Sequence, residues 1–468
     1  MRKKNACQAP AYSAAKRAES AGADRALCER RPGGTPPSFS QATRLLIPCC
    51  GVGLLVLFSV LCYSDNALYL AILKWMIGGI LSPRPFRDWE WIPSAVECWQ
   101  RHVDVYVNNS CYYLPAPHGH NYSPLWLRMT FLPYGAAWVV PFGLGFGLLF
   151  FASLAALPPQ PRTLAACVTF LATFSSSTAY ALERGNADLI MFLMVIAGTG
   201  CWLRSLRWRL LGYGIFLLAG LLKFYPCVLL VLALRERPRA FVGVWAAAVA
   251  ILGAFVLTFH DELSRIGGNF PSGGYFEGTF AAHNLPHGVL IAAGIETGTD
   301  EQRDWTGYLL PAWLLILTLA AICGADRLSR RFRLDVALAA MPKWETGLLI
   351  SGATLICGCF FAGLNANYRA IMLLLALPGL LWLGRSMPDR AGRAAFMTTT
   401  CLIVFVMWTP PIQQAILQFT SGFAYFLGHW LLNEVAWWCV VCMLLAVLFG
   451  FVRGSPIGLL LPRRRLLL

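Results

Sequence analysis

The chain has 468 residues, of which 57% are hydrophobic and only 13% charged, with a mean hydropathy of +0.58. A soluble domain carries roughly 25% charged residues, so this chain cannot cover itself with polar surface and lipid must be its solvent. The formal net charge of +15 would raise the question of nucleic acid in a soluble protein. Here much of it sits in short loops and at the two ends, a pattern that orients a membrane protein, and no nucleic-acid-binding motif is present.

Residues 1–44 hold nine Lys/Arg, many small residues and four prolines (Pro10, Pro32, Pro36, Pro37), with no apolar periodicity. They read as a disordered, basic cytoplasmic tail. They are too long for a signal peptide, and the apolar run that follows is of spanning length. Crossing about 30 Å of hydrocarbon takes roughly 20 apolar residues. Such runs are predicted at about 45–63, 135–157, 163–181, 187–203, 240–259, 305–324, 346–363, 368–384, 394–409 and 435–452. The fold class is all-α, a polytopic helical protein of 10–13 membrane segments. Its membrane domain covers 45–455, and 456–468 form a short basic cytoplasmic C-terminus.

The positive-inside rule sets the orientation. Basic clusters at Arg204–Arg209, Arg235–Arg239, Arg327–Arg333 and Arg463–Arg465 belong in the cytoplasm with both termini. Residues 210–234 then form a hairpin of two short helices, 210–222 and 225–234. By the same parity, 410–431 is an interfacial helix on the outer face. The outer segments become 64–134, 182–186, 260–304, 364–367 and 410–434. All seven histidines fall in them: His102, His118, His120, His260, His283, His287 and His429. That asymmetry played no part in setting the topology, and it points to chemistry on the outer face.

Ionisable groups at membrane depth are costly and default to functional roles. Four clusters stand out. The long outer loop contains Arg84-Pro-Phe-Arg87-Asp88-Trp89-Glu90-Trp91 and later Tyr122-Ser-Pro-Leu125. There Asp88 is either a partly desolvated general base or a solvated acid paired with Arg84 or Arg87. Glu183-Arg184-Gly185-Asn186-Ala187-Asp188 joins two helices, and Asp188 falls in the first turn of the second, where the helix dipole favours an acid. The segment is a binding site or an interhelical cap. Lys223-Phe-Tyr-Pro226 lies between two apolar half-helices and suits either phosphate binding or snorkelling to the interface. Asn365-Ala-Asn367-Tyr368-Arg369 offers an arginine for bidentate pairing with carboxylate or phosphate, or an interfacial anchor.

Weaker signals surround these. The sixteen cysteines lie mostly inside apolar runs, where Cys acts as a small hydrophobe. Cys439 and Cys442 form a CxxC that lacks partner ligands. Cys98 and Cys111 share the outer loop and can pair in an oxidising compartment. His118 and His120 lack an evident carboxylate partner, so no metal site is predicted. His283 and His287 fall in a Gly-rich loop that includes Gly273 and Gly274, and Asn108 and Asn121 match the glycosylation sequon.

In order and placement, these elements resemble glycosyltransferase family 87, a group of GT-C class transferases that use polyprenyl-phosphate sugars. The resemblance rests on Asp88 with Tyr122-Ser-Pro-Leu125, on Gly185-Asn186-Ala187-Asp188, on Gly220-Leu-Leu-Lys223-Phe-Tyr-Pro226, and on Asn367-Tyr368-Arg369. It spans about residues 45–385. Glu183-Arg184 before Gly185 departs from the family's commoner Gly-Gln-x-Asn form. The resemblance implies an inverting transfer of a mannose-like hexose at the extracytoplasmic face of the cell membrane. The donor would be a polyprenyl-phosphate sugar, and the acceptor a hydroxyl of a glycan, lipid or protein. Asp88 would be the general base. Arg184, Lys223 and Arg369 would hold the donor phosphate. Glu183, Asn186, Asp188, Tyr122, Asn367 and Tyr368 would contact sugar or acceptor. No cofactor is implied, although several GT-C enzymes use a divalent cation. A transporter or flippase for a lipid-linked or anionic substrate is the alternative, but no internal repeat is evident. A ligase-like enzyme moving a whole glycan is the other.

Overall fold

The computed structural model describes residues 39–78, 84–112, 119–131, 133, 135–159, 163–269, 278–294, 300–419 and 423–460. His118, Gly273, Gly274, residues 463–465 and all but the last residues of the expected N-terminal tail lie outside them.

The elements in chain order are α1 (Phe39–Ser64), α2 (Asn66–Ile77), α3 (Arg87–Gln100), α4 (Pro124–Arg128), α5 (Ala136–Leu154), α6 (Thr163–Thr173), α7 (Ser176–Arg184), α8 (Asp188–Trp202) and α9 (Leu206–Lys223). A 3-10 helix (Tyr225–Arg235) follows, then α10 (Pro238–Thr258), α11 (His260–Gly268), β1 (Thr279–Phe280), α12 (Asn284–Ala292), α13 (Asp300–Arg331), α14 (Leu334–Ala340), α15 (Lys343–Ala362) and β2 (Asn365–Ala366). A second 3-10 helix (Asn367–Met372) opens α16 (Leu373–Ser386), and α17 (Arg390–Met407), α18 (Thr409–Phe419), α19 (Phe423–Gly454) and α20 (Pro456–Leu460) complete the chain.

The architecture is all-α and multi-pass. Among the described residues, nine helices are long and apolar enough to cross a membrane. Burial sorts them. The apolar windows of α15 and of the helix running from Asn367 to Ser386 are 72% and 83% buried, whereas those of α10 and α13 are 11% buried. The first two form the centre, and the others turn Leu, Val and Ile outward because lipid is the solvent there. Small residues let the central pair approach. A Cβ on Gly352 would stand 2.8 Å from the Ala376 amide nitrogen, so only glycine allows this helix spacing.

Several boundaries differ from the sequence reading. The expected 163–181 helix breaks at Ser175, whose hydroxyl accepts from the Thr178 amide to restart the chain as α7. The hairpin over 210–234 is deeper than predicted. Its first arm extends back to Leu206 as an 18-residue helix, and its second is an 11-residue 3-10 helix. Arg209 at the start of that arm can be held within it because both Glu236 oxygens accept from its guanidinium, at 2.6 and 2.9 Å. The interfacial helix expected over 410–431 is two pieces, α18 and the first turns of the 32-residue α19. The segment 64–134, expected as an outer loop, opens with an unexpected apolar helix, α2, started by Asp65 accepting from the Leu68 amide at 3.0 Å.

Candidate functional site

Four short backbone devices deliver the polar residues to one place. Phe86 adopts a left-handed conformation (φ 64°) just before α3, and its amide donates to the Glu183 carbonyl at 2.6 Å. The first turn of α3, with Asp88, is thereby laid against the α7–α8 junction. Gly185 makes that junction with φ +55°. A Cβ there would lie 3.0 Å from the Phe86 Cβ, so the residue supplies both the turn and the clearance. Asn186 follows, and its Oδ1 accepts from the Asp188 amide at 3.0 Å, a local turn that starts α8. On the other side, α9 ends at Lys223, and Phe224 (φ 61°) reverses the chain into the first 3-10 helix. Finally β1 and β2 pair antiparallel, and the Asn367 amide donates to the Gly278 carbonyl. That seats the second 3-10 helix, with Arg369 on it.

The side chains form one connected network. Asn186 Nδ2 donates to Asp88 Oδ2 at 2.6 Å, and Arg184 approaches Asp88 Oδ1 at 3.5 Å. Arg184 also lies 3.2 Å from Glu183. Asn186 Oδ1 accepts from Lys223 Nζ. Lys223 pairs with Asp188 at 3.1 Å, Arg369 Nε pairs with the other Asp188 oxygen at 3.3 Å, and Tyr225 donates to Asp188 at 2.6 Å. Arg369 donates in addition to Asn365 Oδ1. Aromatic rings wall the cations. Lys223 lies over Tyr122 and Tyr368, Arg184 over Tyr180, and Arg369 over Tyr225.

This arrangement is electrically polarised. At one end Arg184 stands between two carboxylates, Asp88 and Glu183. At the other, Lys223 and Arg369 share the single carboxylate of Asp188. At the first end Asp88 can accept a proton; the second, with two cations on one carboxylate, can accept a phosphate. Accessibility divides the two aspartates. The Asp88 side chain is 22% exposed, whereas that of Asp188 is 0% exposed. Asp188 is therefore a sealed counter-ion, and Asp88 is the accessible one of the two.

Beside the network runs an apolar cavity of about 290 Å³. Leu54 and Phe58 from α1, Tyr69 and Leu73 from α2, and Phe86 line it, with Glu183 at its polar margin.

Most of the residues singled out from sequence meet here: Asp88, Glu183, Arg184, Asn186, Asp188, Lys223, Arg369, Tyr122 and Tyr368. Asn367 does not. Its Nδ2 donates to the Val406 carbonyl at 3.4 Å, and it faces a second polar pocket with Thr409, His429, Asn433 and Glu434. Asn365 takes the place beside Arg369. Tyr180 and Tyr225 also belong to the site but were given no role from sequence. The signal for Tyr180 was its helical spacing, four residues before Arg184 and so on the same face. Arg87 turns aside to the Tyr112 hydroxyl, at 3.0 Å.

The segments packed around α3 are braced separately. Cys98 and Cys111 are disulfide-bonded. Asp104 accepts from Arg265 of α11, which holds its carboxyl below the usual range. Burial pushes the Glu90 carboxyl up, with Arg84 opposing. His120 is fully buried between Tyr106 and Tyr122, and desolvation lowers its pKa to about 4, so it stands neutral. His283 and His287 sit at the start of α12, where burial foremost and then His287 lower the His283 pKa. Among the described residues, no group of three or more His, Cys, Asp or Glu is placed to hold a metal ion.

No protein-family model, curated protein or solved structure matches this chain.

Proposed function

We propose that the protein is a membrane glycosyltransferase of the GT-C kind, similar to glycosyltransferase family 87. It would take a hexose, mannose-like, from a polyprenyl-phosphate donor and pass it to an acceptor hydroxyl. The observation that carries this reading is the polarised network, with an accessible carboxylate at one end, paired cations at the other, and an apolar cavity alongside.

The chemistry follows from that polarity. The acceptor hydroxyl gives its proton to Asp88, and its oxygen attacks the anomeric carbon of the donor. The bond from that carbon to the polyprenyl-phosphate oxygen breaks, and the electron pair leaves with the phosphate. Lys223 and Arg369 meet the developing charge, because one buried carboxylate only half neutralises them. Arg184, held by Asp88 and Glu183, orients the base rather than the phosphate. The cavity beside Glu183 offers the donor's hydrocarbon a path that avoids water. Attack opposite the leaving group inverts the anomeric centre. The site would face away from the cytoplasm, since α8 runs about 22 Å from Asp188 to the Arg204–Arg209 cluster at its far end.

The test uses membranes holding the wild type or Asp88→Asn, given labelled polyprenyl-phosphate-mannose and polyprenyl-phosphate-glucose. Transfer from one donor by the wild type and its loss in Asp88→Asn, at equal protein level, is the expected result. Undiminished transfer by Asp88→Asn would remove the base assignment, and no transfer from either donor would remove the reading.

A further inference from the structure

A second cleft, of about 300 Å³, lies at the far end of α8 from the network. Its position follows from the elements that meet there. Trp202 is the last residue of α8 and Arg235 the last of the first 3-10 helix, both of which begin at the network, with Asp188 and Tyr225. Lys343 opens α15, and Gly454 ends α19. All four line the cleft. Fifteen helical residues in α8 separate it from Asp188 by about 20 Å.

The chemistry of its lining is specific. Arg235 is half-buried and stacks on the Trp202 ring at 4.3 Å, with one N–H directed to the Trp202 carbonyl at 3.4 Å. The neighbouring arginine, Arg209, is neutralised by Glu236, which also accepts from Tyr213 at 2.9 Å. Glu236 is thereby committed, and among the described residues Arg235 makes no salt bridge with a carboxylate. Lys343 likewise makes none. A half-buried guanidinium without a counter-anion carries a desolvation cost that an anion from outside would offset. Thr346, in the first turn of α15, lines the same wall. Leu338, Met341 and Phe451 make the rest of that wall apolar. Asp335 is the one acidic lining residue.

The geometry points to a binding site for the headgroup of an anionic phospholipid of the leaflet opposite the reaction site. Its phosphate is held by Arg235 and Lys343, a headgroup hydroxyl donates to Asp335, and its acyl chains lie against the apolar wall. The lipid is assigned in preference to a free anion because the cleft lies where helix ends meet the bilayer surface, where anionic lipids are concentrated. The site does not rest on the transferase reading, and lipid binding can be measured without any activity.

The full chain, purified in detergent, is examined by native mass spectrometry with phosphatidylglycerol and, separately, phosphatidylcholine. Its thermal stability is measured with each lipid and with millimolar inorganic phosphate. Phosphatidylglycerol should be retained at least tenfold more strongly than phosphatidylcholine. Arg235→Gln/Lys343→Gln should lose that preference, while Arg330→Gln, a basic residue of the same face outside the cleft, should keep it. Should the double variant fold poorly, Lys343→Gln alone, at an exposed position, should weaken retention severalfold. Equal retention of phosphatidylglycerol by wild type and cleft variants would overturn the proposal. So would equal protection by inorganic phosphate, which would assign the cleft to a free anion.

Discussion

Asn186 joins Asp88 to Lys223: its Nδ2 donates to the Asp88 carboxylate at 2.6 Å while its Oδ1 accepts from the Lys223 ammonium. One buried amide thus fixes the spacing between the base end and the phosphate end of the network. Asn186→Ala removes both bonds, and with them the turn bond to the Asp188 amide, and so uncouples the two ends of the network. The expected outcome is a fall in kcat of about tenfold or more, with KM for the lipid donor changed less, since positioning losses act chiefly on the transition state. Steady-state kinetics on reconstituted protein checks this. An unchanged kcat would show that Asn186 is only a packing residue.

Asp188 and Asp88 should separate in a stability measurement. Asp188→Ala strips the only carboxylate salt-bridged to Lys223 and Arg369 among the described residues, both largely buried. Breaking a buried pair in this way costs about 3–5 kcal/mol. Asp88→Asn keeps an acceptor at a partly exposed position and should cost under about 1 kcal/mol. Rates of thermal inactivation followed by tryptophan fluorescence distinguish the two.

Gly143 offers a test of placement without touching a polar group. A Cβ at this position of α5 would lie 2.2 Å from the Phe86 ring. Phe86 cannot stay, and the turn it makes sets Asp88. Gly143→Ala should destabilise by about 1–3 kcal/mol and lower transfer activity, although the residue contacts no substrate group. Phe86→Leu in the same chain should restore part of both losses. Activity that stays down with Phe86→Leu while stability returns would place the defect elsewhere.

His120 should make the region around it acid-sensitive. Its folded pKa is about 4, against an ordinary value of 6.5, because it is buried. As pH falls below 6.5, the unfolded chain takes up a proton that the folded chain refuses until about pH 4. Stability is therefore complete above pH 6.5 and declines between 6.5 and 4, by about 3 kcal/mol for a shift of this size. Melting temperature against pH should show that slope, and His120→Phe should flatten it. A slope that persists in the variant would assign it to another group.

The membrane character, the helical class and most spans are legible in the sequence, because a run of about 20 apolar residues has one stable environment. The helix ends were less legible. Arg209 made 206–209 look like loop, although Glu236, 27 residues later, lets that arginine join a helix. The apolar α2 was hidden within an outer loop, and the break at Ser175 depended on a hydroxyl cap that many serines do not make.

For the site, local motifs were enough to mark Asp88, Arg184, Asn186, Asp188, Lys223 and Arg369, since ionisable groups in so apolar a chain are few and costly. Their division of labour was not legible. Asp88 read as an acid of a long loop and Asp188 as an acid in the first turn of a helix, and only the packing seals the second beneath two cations and leaves the first open. Asn365 and Asn367 likewise share a short turn, and the register of the β1–β2 pair and the second 3-10 helix decides which of them meets Arg369. Sequence by itself determined that this chain lives in lipid and which residues are too polar to be there without cause. Tertiary structure alone decided which of them share a counter-ion, because charge balance at a buried site depends on distances across segments far apart in the chain.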